Sequence, residues 1–373
     1  MTRYISILIV ALTALFAMPV PVCASAHDES GENSKIDPKE IIFEHLGDGY
    51  GWEVPFDHHH RIPLPVIVFG SDGLHIFSSA RVTGGKEYVD GNTTFKIAGK
   101  DSPHKGKVVE IVDGKEIKPI DISITKNVCA LFITLILVAG LMLWLANYLK
   151  RNPYKAPRKG LGAIEALLIF IYDGVVKSTL GKDAPRFAPY LLTVFFFIFG
   201  MNLLGLMVVF PGGANLTGNI AVTLVLAILT FLVTNLYANK HYWKEIFWPD
   251  VPIWLKFPLP IMQVIEVFGI FTKPAALTVR LFANMMGGHM IVLVLTLLIF
   301  IFAAISPAVG AATTVVSLLF SIFMLLIDVL VSFIQAYVFT MLSTIFISLA
   351  QQHEEHKEKA ESHEAAVAAH ATK

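Results

Sequence analysis

The sequence predicts an all-α polytopic membrane protein. It should have about five membrane helices, including a long tilted C-terminal helical hairpin, with an interfacial amphipathic helix and a small β-rich N-terminal extracytoplasmic domain. Three observations predict this. Of 373 residues, 55% are hydrophobic and 16% charged, where soluble domains carry about 25% charged residues; mean hydropathy is +0.64. From Asn127 onward the apolar residues form runs long enough to cross a bilayer core of about 30 Å. Before Asn127 the chain is polar, with short β-type runs between turn signals.

Residues 1–26 read as a secretory signal peptide. Arg3 supplies the positive start, ISILIVALTALFAM the apolar stretch, and Ala24-Ser25-Ala26 a small-residue cleavage site. A retained first helix fits less well, because the run is short and Pro19 and Pro21 follow it. Val22 stands before Cys23 where a lipoprotein site needs a small residue.

Residues 27–125 then form an extracytoplasmic β-rich domain. PLPVIVF, LHIFSSARV and KVVEIV are its strand-like runs, and Ser71-Asp72-Gly73, Asp90-Gly91-Asn92 and Asp113-Gly114-Lys115 its hairpin turns. The run His58-His59-His60 is read as a solvated loop rather than a metal site. Cys23 and Cys129 are too few for a disulfide framework or a structural zinc site, and neither metal nor cofactor is expected.

Residues 126–350 form the membrane domain. A first span over 127–149 ends at Lys150, Arg151, Lys155, Arg158 and Lys159, which places the following loop in the cytoplasm. Residues 162–180 carry Glu165, Asp173 and Lys177 among apolar residues and read as an amphipathic helix lying at the interface. Spans follow at about 188–210 and 217–239, joined by the uncharged PGGANLTGN; the loop NKHYWKEIFWPD returns to the cytoplasm. Two stretches remain, about 258–303 and 308–350, broken at Ser306-Pro307 and Gly310. At about 1.5 Å per residue each exceeds about 60 Å, so each is two spans or one strongly tilted helix. No turn cluster splits them, and a tilted hairpin is favoured. The charged, Ala-rich tail 351–373 is expected in the cytoplasm; its His-Glu-Glu-His (353–356) lacks the spacing of a zinc protease motif.

The ionisable residues inside the two long stretches are Glu266, Lys273, Arg280, His289 and Asp328, with Asn284 and Gln335 adding amides. Arg280 carries a permanent cation at a depth where insertion costs at least about 2.5 kcal/mol. Helix geometry puts Glu266 within roughly 40° of the face of Arg280 and about 21 Å toward the cytoplasm. Asn284 is one turn outward of Arg280, and His289 about 13.5 Å outward on nearly the opposite face. If Gln335 is level with Arg280, Asp328 falls about 10.5 Å further out, near the height of His289. Such an arrangement separates an outer imidazole–carboxylate layer from an inner carboxylate by a fixed cation, the layout a proton-driven device needs. Singly, most of these residues have blander readings. His289 can be an inert core histidine, Lys273 a side chain snorkelling to the cytoplasmic headgroups, and Asn284 and Gln335 ordinary interhelical hydrogen bonds. Arg280 together with Asp328 does not fit that account.

RLFANMMGGH from Arg280, then FIQAYVFTMLSTIFISLA from Phe333, resemble subunit a of F-type ATP synthases. The resemblance extends from about Pro153 to Ala350 and includes IEALLIFIYDGVVKSTLGKDAPRFAPYLLTVFFFIFGMNLLGL. It implies that Arg280 is the stator arginine facing a ring of c subunits, and that Glu266, Asn284, His289, Asp328 and Gln335 line two offset half-channels. It also implies a b-type peripheral stalk subunit and the remaining F1FO subunits as partners, the lipid bilayer as surroundings, and a bacterial cytoplasmic (inner) membrane as location. The N-terminal domain would lie outside and the C-terminus in the cytoplasm. No GxxxxGK[ST] motif is present, so this would be a non-catalytic subunit, and balanced charge (29 basic, 29 acidic residues) gives no footprint for nucleic acid. The rival readings are an ion-coupled secondary transporter, for which no internal repeat is visible, and a scaffold acting through residues 27–125.

Overall fold

Among the described residues of the computed structural model, nine short strands precede the first long helix. The structure describes residues 47–351 apart from 55–56, 84–85, 92, 100–101, 103, 105, 113–114, 158–159, 208–215 and 248–260. The signal-like segment 1–26 and the tail beyond Gln351 lie outside the described residues. The described residues all belong to one compact unit, Lys39–Lys373.

β1 (Gly51–Val54) pairs with β2 (Asp57–Pro63). A three-stranded sheet has the order β4-β3-β9, from β3 (Pro65–Gly70), β4 (Gly73–Ser78) and β9 (Ile120–Asp121). A four-stranded meander follows chain order through β5 (Tyr88–Asp90), β6 (Thr93–Ile97), β7 (Val108–Val112) and β8 (Lys115–Ile117). Each expected turn signal joins a hairpin, β3–β4, β5–β6 and β7–β8. Gly91 closes the second with φ of +65°, a conformation that favours glycine. The run LHIFSSARV is a strand only to Ser78; Ser79–Arg81 is a 3-10 turn. His58-His59-His60 lie in β2, not in a loop; they fall where the register with β1 shifts, between the pairs Glu53–Arg61 and Val54–Asp57.

Val66, Val68 and Phe77 from one sheet share a core with Phe95 and Val108 from the other. Polar links tie the two sheets across this core. The buried Glu110 carboxylate accepts hydrogen bonds from the Ser71 amide (3.1 Å) and the Ser71 hydroxyl. His75 Nδ1 lies 2.9 Å from Asp90 Oδ2. The Tyr50 hydroxyl donates to Asp121 and accepts from the Val108 amide at 3.2 Å. Burial, then the Asp121 hydrogen bond, hold this phenol above its usual titration range. Tyr50→Phe leaves the buried Val108 N–H without its acceptor. It is expected to destabilise this domain by about 1–3 kcal/mol, read as faster hydrogen exchange at the Val108 amide.

The first membrane helix, α1 (Lys126–Arg151), is capped by Thr125, whose hydroxyl accepts from the Val128 amide at 3.4 Å. The β domain is joined to it by more than the chain. The Lys126 amide donates to Gly49 O (2.9 Å) and the Asn127 amide to Asp48 Oδ1 (3.2 Å). Trp52 of β1, 2% exposed, belongs to the same core as Ala130 of α1 and Phe195, Leu226 and Leu281 from the bundle.

The expected helix 162–180 corresponds to a helical run from Gly160 to Leu180. α2 (Gly160–Ile171) runs into a π turn at Tyr172–Lys177 and continues through Ser178–Leu180 and Gly181–Asp183 into α3 (Ala184–Leu206). Gly181, at φ +55° and ψ −113°, takes the bend in this path. α3 therefore starts at Ala184, earlier than the span expected from 188. α4 (Ile220–Leu236) is capped by Asn219, whose side chain accepts from the Ala221 amide. The NKHYWKEIFWPD segment is partly helical, as α5 (Lys240–Phe247).

α6 (Ile261–Ile305) and α7 (Pro307–Gln351) are 45 residues each and separated by Ser306 alone. Each is one helix about 68 Å long, so the two-spans-per-stretch alternative falls. Asn284 meets Gln335, Gly288 meets Asp328, and Lys273 meets Phe346. The positions rise on one helix as they fall on the other, which is antiparallel packing. Among the described residues, four helical segments are long and apolar enough to cross a membrane: Lys126–Arg151, Gly160–Leu206, Gln263–Ile299 and Val309–Gln351. The other expected span, Ile220–Leu236, is a shorter apolar helix of 17 residues.

Candidate intramembrane polar site

On α6, Leu277 and Leu281 are buried in the bundle, while Val279, Arg280 and Ala283 face outward and are exposed. Among the described residues, Arg280 has no hydrogen bond and no carboxylate partner within ion-pair distance. A guanidinium is thus displayed on a Leu-rich helix without a partner among the described residues.

Two recesses flank it along the helix. The first is about 290 Å³ including its open mouth, and its polar lining brings together Asn202, Asn284, Asp328, Ser332 and Gln335 beside Gly288. Asn284 Nδ2 donates to Gln335 Oε1 at 3.4 Å, and Gln335 is buried with its Nε2 unpartnered. Asn202 of α3 donates to Ser332 O (3.4 Å) and accepts from the Thr217 hydroxyl (2.8 Å). The Ser332 hydroxyl donates in turn to Asp328 O at 2.7 Å. Asp328 is half-buried, and a Cβ on Gly288 would stand 2.6 Å from its Oδ1. Only glycine lets the carboxylate come so close to α6.

The second recess, about 340 Å³, lies between α4, α5, α6 and α7 and is lined in part by Thr234, Asn235, Tyr242, Lys273 and Phe346. Asn235 Oδ1 is buried there without a partner among the described residues. Burial, and then the nearby Glu266 carboxylate, push the Tyr242 phenol up, so Glu266 belongs to the surroundings of this recess. On α6 the second recess is lined from Ile270 to Leu277 and the first from Leu281 to Gly288, so Arg280 falls between them.

One expectation of depth needs correction. Gln335 is level with Asn284, one turn further along α6 than Arg280, rather than with Arg280 itself. Asp328 nevertheless abuts Gly288, the residue before His289, near the height expected for it. His289 lies on α6, and its side chain is outside the described residues. Lys273 is half-buried, with its Nζ over the Phe346 ring at 5.5 Å. Asn202, Thr217, Ser332, Asn235, Tyr242 and Gly288 were not among the sequence candidates. Asn202 carried a signal, an amide among Phe, Met and Leu of the same kind as Asn284.

A bundle closed by a long helical hairpin, with polar recesses on either side of one outward cation, defines the class: a polytopic membrane protein with intramembrane polar sites. The family model described as ATP synthase A chain matches residues 128–348. A second, described only as a domain of unknown function, matches 41–126. Curated relatives named ATP synthase subunit a include one from Chlorobium phaeobacteroides, 42% identical over 67% of this chain and 70% of its own length. One from Pelodictyon phaeoclathratiforme is 43% identical over 67% and 71%. One from Myxococcus xanthus is 40% identical over 72% and 87%. The chain belongs to the ATP synthase A chain family. None of these matches points to a secondary transporter or a scaffold.

Proposed function

We propose that this chain, as the proton-translocating stator subunit of an F-type ATP synthase, serves a c-subunit ring through two offset half-paths, one in each recess. The observation that carries the reading is the position of Arg280 between the two recesses on α6. Protons enter the first recess past Asp328, His289 and Asn284, and Gln335 and Asn202 order the path. They load a ring carboxylate, travel round with the ring, and leave through the second recess past Glu266. Arg280 favours the ionised form of the passing carboxylate, since a nearby opposite charge stabilises it. It also bars a direct leak, because a guanidinium does not release its proton. The b-type stalk subunit holds the protein against the turning ring.

Vesicles holding this protein with its c-ring are expected to conduct protons under an imposed potential, and to stop when a carbodiimide modifies the ring carboxylate. Conduction by this chain alone, indifferent to the carbodiimide, would overturn the reading.

Signal removal after Ala26, the basic segment from Lys150 to Lys159, and Lys240 and Lys244 support an N-terminal domain outside a bacterial inner membrane and a cytoplasmic C-terminus. With Cys129 replaced, an impermeant thiol reagent applied to cells stripped of any outer membrane should label Lys86→Cys and spare Ser362→Cys. The opposite labelling reverses the direction of the path.

A further inference from the structure

The sheet β4-β3-β9 is apolar on both faces. Val66, Val68 and Phe77 fill the core on one side. On the other side the register sets Phe69 against Leu74 and Ile120, and Ile67 against Ile76; the Ile122 amide donates to Ile67 O at 2.9 Å. These residues form one contiguous patch. Phe69, Leu74, Ile76, Ile120 and Ile122 are 53–67% exposed, and Ile67 is half-buried. An antiparallel sheet with one face in water alternates apolar and polar residues, whereas continuous apolar runs mark strands covered on both faces. So large an apolar face on a small domain calls for a cover.

We propose that this face rests on the bilayer, in the boundary between headgroups and acyl chains, and anchors the domain flat beside the first membrane helix. The occupant follows from where the sheet is tethered. Ile122 lies four residues before α1, so at about 3.5 Å per residue it is within about 14 Å of the helix start. α1 has 26 residues, about 39 Å, which exceeds a hydrocarbon core of about 30 Å and carries its first turn into the headgroup layer. The sheet cannot swing away on a loose linker. The Ile124 amide is bonded to Pro65 O (3.2 Å) and the Lys126 amide to Gly49 O (2.9 Å). The apolar patch continues toward a helix that itself presents Val128, Phe132, Leu135 and Ile136 outward, the side chains of a lipid-facing surface.

The chemistry of the patch also favours lipid. Its outward positions carry no charge and none of the Tyr, Trp or Arg anchors that dominate protein interfaces. Apolar area alone holds an element in the membrane interface. The contact works on whichever side of the membrane the domain lies.

The test uses full-length protein with Cys23 and Cys129 replaced, in phosphatidylethanolamine–phosphatidylglycerol vesicles, carrying a nitroxide at Ile76→Cys or Ile120→Cys. Both labels are expected to collide several-fold more often with oxygen, which partitions into lipid, than with a water-soluble nickel chelate. They are also expected to broaden when lipids carrying a nitroxide high on the acyl chain are added. The control label at Lys86→Cys, on an exposed position, should favour the nickel chelate. If the labels at 76 and 120 are shielded from oxygen and nickel alike, the face is covered by protein, either a second copy or another part of this chain, and the proposal fails. It fails equally if nickel reaches them as freely as it reaches position 86.

Discussion

Arg280→Ala is expected to reduce ATP-coupled proton transport to background while the protein inserts and assembles normally. The residue is exposed on α6 and has no partner among the described residues, so no packing or hydrogen bond inside the chain is lost with it. Insertion should if anything be easier, since a charge deep in a helix costs at least about 2.5 kcal/mol on insertion scales. Arg280→Lys should fail too. Lysine keeps a charge in water but readily loses its proton when desolvated, whereas arginine does not. ATP synthesis in vesicles, measured beside immunodetected assembly, separates lost coupling from lost protein. Wild-type synthesis by the lysine variant would refute the role assigned to the guanidinium.

The second large effect is expected at a residue with no side chain. In Gly288→Ala the added Cβ would meet Asp328 Oδ1 at 2.6 Å and Cγ at 3.1 Å. Aspartate is short, so its carboxylate must leave the recess or the helices must part; overpacking of this kind costs typically about 1–3 kcal/mol. Proton flux should fall at least several-fold, and thermal stability should fall with it. The cause can be isolated in a double-mutant cycle. In an Asp328→Ala background the clash is gone, and Gly288→Ala should then cost little stability. An equal loss in both backgrounds would mean that the alanine disturbs α6 itself.

Much of this architecture could be read before any coordinates. Asp90-Gly91 marked its hairpin because a tight turn there needs a residue that tolerates positive φ. The absence of a turn cluster within 258–303 and 308–350 pointed to two unbroken helices, which is how α6 and α7 are built. Strands β1 and β5, of four and three residues, were missed because such runs are too short for alternation to register. The turn at Gly181 was legible as the end of the expected helix 162–180. The start of α3 was placed about four residues late, because Lys182, Asp183 and Arg186 keep that stretch polar.

At the site, charge and amide chemistry on the last two stretches led to Arg280, Asn284, Asp328 and Gln335. The level of Gln335 went astray by one turn, since the sequence holds no ruler for sliding one helix along another. Gly288 was passed over because a glycine reveals nothing until the atom beside it is known. Asn202 and Ser332 were passed over because a small polar residue in an apolar helix often only bonds back to its own backbone. Ser332 does so, and Asn202 reaches across to it.

Trp52 leaves a domain made of strands and enters a core made of helices, and backbone amides of α1 reach back to Gly49 and Asp48. Two bodies sharing buried side chains in this way do not melt independently. Warming the protein should give one cooperative calorimetric transition, not a low-temperature loss of strand signal followed by loss of the bundle. A chain cut after the strands, between Asp121 and Lys126, would yield two fragments that each hold half of a common interior.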